Sequence, residues 1–180
     1  MRKDLKMNIK LIKPTIEYSN DIMEYKREFL ECGDTMAGCG NLKECSTAEE
    51  WIKENELREN SKTIPDDKVS SSAYIAVRMS DNKIVGMINF RHHINHPILG
   101  TWGGHIGYSI RPCERKKGYA KEMLRQVIIN CKRYGLDKIL VTCNQENIGS
   151  KRTIIANGGL FEKYIEVDGD IMERYWINLK

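Results

Sequence analysis

Between positions 115 and 120 the chain reads Arg115-Lys116-Lys117-Gly118-Tyr119-Ala120, a basic turn carrying one glycine, directly ahead of the strongest helical periodicity in the sequence. Such a combination can hold a multiply charged anion. The first turn of a helix presents N–H groups with no intrahelical partner and a partial positive charge, so a diphosphate can sit on it where no side chain blocks the approach. Gly118 leaves the approach open and Ala120 keeps the next contact small, while Arg115, Lys116 and Lys117 add full charges to the dipole. An Arg-x-x-Gly-x-Ala match has little weight from composition alone; its weight comes from lying between a strand and a helix.

The neighbouring residues supply both elements. Gly100 to Arg111 reads as a strand, with Trp102, Ile106, Tyr108 and Ile110 on one face and His105, Gly107 and Ser109 on the other, ended by Pro112. Ala120, Met123, Leu124, Val127, Ile128 and Cys131 recur at i, i+3, i+4, i+7, i+8 and i+11, an amphipathic helix closed by Gly135, with Lys132 and Arg133 complementing the dipole in its last turn. Lys138 to Cys143 has the character of a strand buried on both faces. Asn147 to Asn157 reads as a further helix, capped by Asn147 and stopped by Gly158-Gly159.

The flanking sequence completes an alternating plan. Asn8 to Lys13 is a β-type run ended by Pro14, and Tyr18, Ile22, Tyr25 and Phe29 then recur at helical spacing until Gly33. Thr47 with Glu50 forms a capping box for a helix carrying Trp51 and Ile52, ending near Asn60. Lys62 to Ser72, with Pro65, reads as a surface loop and not a domain boundary. Ala73 to Met79 and Lys83 to Phe90 flank Ser80-Asp81-Asn82 as a hairpin, and Leu160 to Val167 and Ile171 to Leu179 flank Asp168-Gly169-Asp170 as another. The order is strand, two helices, three antiparallel strands, helix, strand, helix, two strands.

These residues resemble the GNAT (general N-acetyltransferase) superfamily, whose pyrophosphate motif matches Arg115 to Ala120. The family's second cofactor motif, Asn-x-x-Ser or Ala followed by a glycine near the helix end, matches Asn147-Ile148-Gly149-Ser150 with Gly158. His105-Ile106-Gly107-Tyr108 followed by Arg111-Pro112 looks like the branch of ribosomal-protein N-terminal acetyltransferases and their small-molecule relatives. The resemblance covers residues 8 to 179. It implies an α+β (α/β mixed) GNAT fold: a central mixed, mostly antiparallel sheet of about seven strands with four helices, splayed at the fourth and fifth strands. It also implies acetyl-CoA as cosubstrate, and direct attack of a primary amine on the thioester.

The resemblance assigns cofactor contacts to the backbone at Ser109 and Ile110, to Arg115, Lys116, Lys117, Gly118, Tyr119 and Ala120, and to Asn147 and Ser150. His105 stands where many members of this branch carry a Glu thought to act as base, and a neutral imidazole can take that role. Several branches protonate the leaving thiolate with a Tyr seven residues after the Asn; here that residue is Ile154, which leaves Ser150 as the candidate acid. The acceptor is a small-molecule amine, with a peptide N-terminus and a catalytically silent acetyl-CoA-binding module as alternatives. Segments around residues 25 to 45 and 91 to 100 are expected to line its pocket.

Bulk properties fit one soluble domain over residues 1–180. The chain has 180 residues, 41% hydrophobic and 30% charged, and its mean hydropathy is −0.52. The net charge of +4 is spread along the sequence, which argues against a nucleic-acid binder. The opening Met-Arg-Lys-Asp-Leu-Lys has no apolar run behind it, and no stretch approaches membrane-helix length, so a cytoplasmic protein without membrane association is expected. Six unevenly spaced cysteines read as free thiols. His92-His93-x-x-His96 carries no ligand spacing that would favour a metal, because adjacent strand residues face opposite ways. A homodimer is compatible with these properties, which are silent on assembly.

Overall fold

The computed structural model describes residues 8–64 and 67–180. The leaderless reading of the opening residues and the loop character of Pro65 lie outside the described residues. Strand β1 (Ile9–Ile12) is followed by helices α1 (Ser19–Cys32) and α2 (Ala48–Glu59), then strands β2 (Ser71–Arg78), β3 (Lys83–Arg91) and β4 (Ile106–Ile110). Helix α3 (Tyr119–Tyr134), strand β5 (Lys138–Asn144), helix α4 (Ile148–Ala156) and strands β6 (Gly159–Val167) and β7 (Asp170–Asn178) complete the chain.

Local chemistry accounts for most of the boundaries. Thr47 accepts the Glu50 N–H at 3.2 Å while the Glu50 carboxylate accepts the Thr47 N–H at 3.3 Å, the reciprocal cap expected for α2. The β6–β7 hairpin turns through Asp168 (φ 51°) and Gly169 (φ 88°), the left-handed pair that suits the twist of a two-residue loop.

The strands form two antiparallel sheets, β1-β2-β3-β4 and β5-β7-β6. The single mixed sheet expected from the sequence is therefore divided at the splay. The halves touch where His105, just ahead of β4, donates its N–H to the Leu140 carbonyl at 2.8 Å and accepts the Leu140 N–H on Nδ1 at 2.9 Å. Gly104 (φ 65°) allows this approach, since a Cβ there would stand 2.7 Å from the Leu140 carbonyl oxygen. Beyond that point no ladder joins β4 to β5.

One expected strand is shortened. Gly100 to Arg111 was to be extended throughout, but Leu99–Gly103 coils into a single π-helical turn and only Ile106–Ile110 is strand. Gly100, Gly103 and Gly104 offer no side chains to pack as a strand, and the turn's carbonyls are gripped by side chains from three strands. Arg91 donates to Gly103 and Gly104, Arg174 to Gly100 and Thr101, and Thr142 to Trp102. Trp102 thus leaves the β4 face and is 37% exposed.

Two apolar clusters sandwich the first sheet. Met123, Leu124, Val127 and Cys131 of α3 pack on Val85, Ile88 and Phe90, with Val141 and Tyr175 from the second sheet. On the opposite face Ile22, Tyr25, Phe29 and Trp51 cover Ile75, Val77 and Met87. Burying each such side chain stabilises the fold by roughly 1.5–3 kcal/mol, so the sheet that carries β4 is rigid. Within β4, Ile106, Tyr108 and Ile110 face the first cluster while Ser109 faces the second, the alternation read from the sequence.

Candidate active site

The register of β4 decides which backbone groups are free. Arg91 donates its N–H to His105 and Arg111 donates to Val85, so Gly107 and Ser109 direct their backbone groups onto β3. Ile106, Tyr108 and Ile110 direct theirs to the other edge, where no strand pairs. A ligand lying in the cleft would therefore meet the N–H of Tyr108 and of Ile110. The Ser109 N–H, expected as a contact from the sequence, is engaged in the ladder. Its hydroxyl is buried as well, 3.0 Å from the Tyr25 hydroxyl and 3.4 Å from Cys39 Sγ.

At the end of β4 the chain makes a 3-10 turn, Pro112–Glu114, and enters the basic turn. Lys116 (φ 62°) and Gly118 (φ 88°) are both left-handed, and Gly118 is the N-cap of α3 with no side chain capping the helix. Two left-handed residues around Lys117 coil the backbone so that successive N–H groups converge, a concave anion cradle. The cations are not all free to serve it. Arg115 Nη1 pairs with Asp34 at 2.6 Å and its Nε donates to the Ile110 carbonyl at 3.2 Å. Lys117 pairs with Glu114 at 2.8 Å. Lys116 is exposed, with no carboxylate in ion-pair distance among the described residues.

Glu114 and Arg111 anchor this corner. Burial pushes the Glu114 carboxyl up, but its bonds to Lys117 and Arg78 outweigh that and hold it below the usual range, so it stays ionised. Arg111 is fully buried, bonded to Asp21 at 2.5 Å and Glu28 at 3.1 Å, and fastens α1 to the end of β4. Tyr119 and Ala120, both half-buried, form the first turn of α3, and the Tyr119 hydroxyl accepts from Arg78 at 3.2 Å.

Across the cleft, Asn147 caps α4 by accepting the Ser150 N–H on Oδ1 at 3.0 Å, which leaves its amide NH2 as the group available to a ligand. Ser150 lies 2.7 Å, hydroxyl to hydroxyl, from Tyr108. This bond bridges the two sheets where their backbones have parted. Burial pushes the Tyr108 phenol up to about 12, so it keeps its proton at neutral pH. Cys143 adjoins the pair; burial first, then Glu173, pushes its thiol to about 11, against a lowering contact from Ser150. The sequence pattern marks Tyr108 only as an apolar strand residue; the signal for its polar role is that a buried phenol needs a hydrogen-bond partner. Ile154 is fully buried, without a proton to give.

The base role expected of His105 meets two obstacles. Its Nδ1 lone pair is taken by the Leu140 N–H, which places the ring proton on Nε2 and leaves no free lone pair. Burial, then the nearby Arg91 charge, lowers its pKa to about 4, so the ring is neutral but a poor proton acceptor. His105 is a strut at the vertex of the two sheets.

Other histidines have structural partners. His92 is buried, with Ser72 and Ser70 hydroxyls each 3.0 Å from its two ring nitrogens and Tyr134 stacked on it. His93 and His96 accept backbone N–H groups on Nδ1. No group of three metal-ligating side chains occurs among the described residues.

On the far face of β4 the segment between α1 and α2 lies directly on the strand. A Cβ at Gly38 would stand 2.2 Å from the Gly107 carbonyl oxygen, so only glycine allows this contact. Trp51 donates from Nε1 to the Cys39 carbonyl at 2.7 Å and holds the segment down. The expected acceptor segments thus meet over Gly107, where Arg91 Nη2 also lies.

The fold has known counterparts. The microcin self-immunity acetyltransferase MccE, solved with acetyl-CoA and AMP, is 18% identical with a TM-score of 0.64, over 95% of this chain and 92% of that one. RimL, a ribosomal-protein alpha-N-acetyltransferase solved with coenzyme A in a disulfide to one of its cysteines, is 15% identical, TM-score 0.68, over 97% and 96%. A GNAT-family acetyltransferase from Bacillus anthracis is 20% identical, TM-score 0.60, over 96% and 95%. No curated protein sequence matches the chain. The model of the acetyltransferase (GNAT) domain matches residues 11–159, which takes in the basic turn, the free edge of β4 and the cap of α4: the chain belongs to the GNAT acetyltransferase family.

Proposed function

We propose that this GNAT acetyltransferase transfers an acetyl group from acetyl-CoA to the primary amine of a small molecule. The observation that carries the reading is that three polar features adjoin one strand: β4 has an unpaired edge, the left-handed cradle at Lys116–Gly118 follows it and is tied back by Arg115 on the Ile110 carbonyl, and the capped N-terminus of α4 is joined to it through Ser150 and Tyr108. When bound, acetyl-CoA supplies the activated thioester. The cradle's N–H groups, with Lys116, would hold the diphosphate, and the Asn147 amide would meet the pantetheine arm. The Tyr108 and Ile110 N–H groups lie roughly 6.6 Å apart on the strand edge; the Tyr108 N–H, beside Ser150, would hold the oxyanion that develops as the amine attacks, and the Ile110 N–H would meet the pantetheine arm.

Ser150 is the acid in this reading. Its hydroxyl gives a proton to the departing sulfur and recovers one from Tyr108, whose phenol is linked to it at 2.7 Å and regains its own from solvent. The amine attacks in its neutral form, the ammonium that attack creates gives its proton to solvent, and His105 acts as a positioning residue that sets the angle between the sheets. Treating the chain as one domain is supported by the span of the family match and by the apolar cluster shared between the two sheets.

Calorimetry with acetyl-CoA, followed by a thiol-release screen over amines, aminoglycosides, amino acids and peptides, tests the proposal. Binding with turnover on small amines is expected; absence of acetyl-CoA binding would overturn it. Turnover only on peptides would move the acceptor to a protein N-terminus. A silent cofactor-binding module is the second reading, favoured by Ile154 and by the occupied lone pair of His105. It requires tight binding and no thiol release with any acceptor.

A further inference from the structure

Arg91 is a half-buried guanidinium at the end of β3, and its surroundings differ from those of the other arginines drawn into the fold. Arg78 has Asp81 and Glu114, Arg111 has Asp21 and Glu28, and Arg174 has Glu162. Arg91 has no carboxylate in ion-pair distance among the described residues. It donates from Nη1 to two neutral carbonyls, Gly103 at 3.0 Å and Gly104 at 3.1 Å. Those bonds use one nitrogen and fix the plane of the group. The N–H groups on Nη2 and Nε are left, and they form the side-on fork that a carboxylate fills with two parallel hydrogen bonds.

The place of this fork matters as much as its chemistry. A Cβ built on Gly107 would stand 3.4 Å from Arg91 Nη2 and 3.1 Å from the Gly38 nitrogen, so the guanidinium lies on the acceptor face of β4 beside the segment between α1 and α2. Its neighbour His105 is neutral, so it neither competes with Arg91 for an anion nor pairs with it. Burial alone presses the Arg91 pKa down, with no carboxylate opposing it. A partly desolvated cation without a counter-ion is costly, and an anionic ligand relieves that cost.

We propose that Arg91 binds a carboxylate on the acceptor, so that the preferred substrates are amines carrying an anionic group some distance from the nucleophilic nitrogen. The inference rests on the acetyltransferase reading above and narrows its substrate class. Ser150, which would protonate the departing sulfur, is bonded to Tyr108, so the reacting carbon belongs at the Tyr108 end of the strand, next to Gly107 and the guanidinium. Aminocarboxylates and short peptides with an acidic side chain near the N-terminus both offer an amine and an anion of this kind.

The test needs no variant at first. Thiol release by the wild-type protein is measured with aminocarboxylates of increasing chain length, their primary amides, and diamines of the same lengths; a second arm compares dipeptides ending in Asp or Asn side chains at the second position. The expected result is a kcat/KM about 10- to 100-fold higher for the carboxylate than for its amide, lost in Arg91→Gln through KM, while the acetyl-CoA affinity is unchanged. Arg91→Lys should recover part of the preference, which a merely structural role would not do. Turnover that is equal on amide and carboxylate, or highest on diamines, overturns the inference while leaving the acetyltransferase reading intact. No turnover on any amine, or no acetyl-CoA binding, overturns both, and the two arms separate a free aminocarboxylate from a peptide as the source of the anion.

Discussion

The two sides of the cleft are built on different principles. The proposed cofactor side is made largely of backbone: the coil at Lys116–Gly118, the unpaired edge of β4 and the N-terminus of α4. The proposed acceptor side depends on groups brought from separate segments: the Arg91 guanidinium from β3 and the close-lying backbone at Gly38 between α1 and α2, which meet over Gly107. A backbone-built site recognises what every member of a family shares, because N–H groups are the same whatever the residue. A side-chain-built site can change with single substitutions, and so it is where one acceptor is distinguished from another.

The sharpest way to break this contrast is at Gly118. Gly118→Asp forces a branched side chain into a left-handed conformation and sets a carboxylate against the diphosphate; acetyl-CoA affinity measured by calorimetry should fall by about 100-fold or more, with the fold retained by circular dichroism. If affinity survives, the cradle is not the phosphate site.

Next in size is the chemistry at Ser150. Ser150→Ala should lower kcat by about 10- to 100-fold with little change in acetyl-CoA affinity. An unchanged kcat would return the thiolate's proton to solvent. Tyr108→Phe should have a smaller effect, about 5- to 10-fold in kcat, and the double variant should cost no more than Ser150→Ala alone, because the two hydroxyls act as one unit. Additive losses would separate them.

The smallest expected effect concerns His105, and it is on stability. Burial holds its pKa at about 4 against an ordinary 6.5, so on acidification the unfolded chain takes up its proton first. The stability contributed by the neutral ring is full above pH 6.5 and is lost as the pH falls toward 4. His92 behaves in the same way. Thermal melts should show His105→Ala destabilised by about 1–3 kcal/mol at pH 7 for the orphaned Leu140 N–H, with His105→Asn restoring part of it. The rate profile should carry no limb near pH 6.5, and such a limb, abolished in His105→Asn, would restore the ring as a base.

Legibility from the sequence follows the same division. The α3 stripe, the capping box at Thr47 and Glu50 and both hairpins were readable because each depends on residues a few positions apart. The basic turn is readable for the same reason, and Gly118, at its centre, is left-handed. Gly100 to Gly104 has a strand-like sequence but coils, because the groups that grip it, on Arg91, Thr142 and Arg174, come from other strands. His105 carried a plausible chemical role at its position, yet what it does depends on Leu140, thirty-five residues later.

From sequence alone come the element order, the family and the cofactor motifs, because hydrophobic period, caps and glycine conformations are local properties of the chain. Tertiary structure alone decides that the sheets part at His105 and Leu140, that Tyr108 and Ile110 rather than Ser109 keep free N–H groups, and that Arg91 stands without a carboxylate. Register, lone-pair occupancy and charge pairing are relations between distant residues, and only folding brings those residues together.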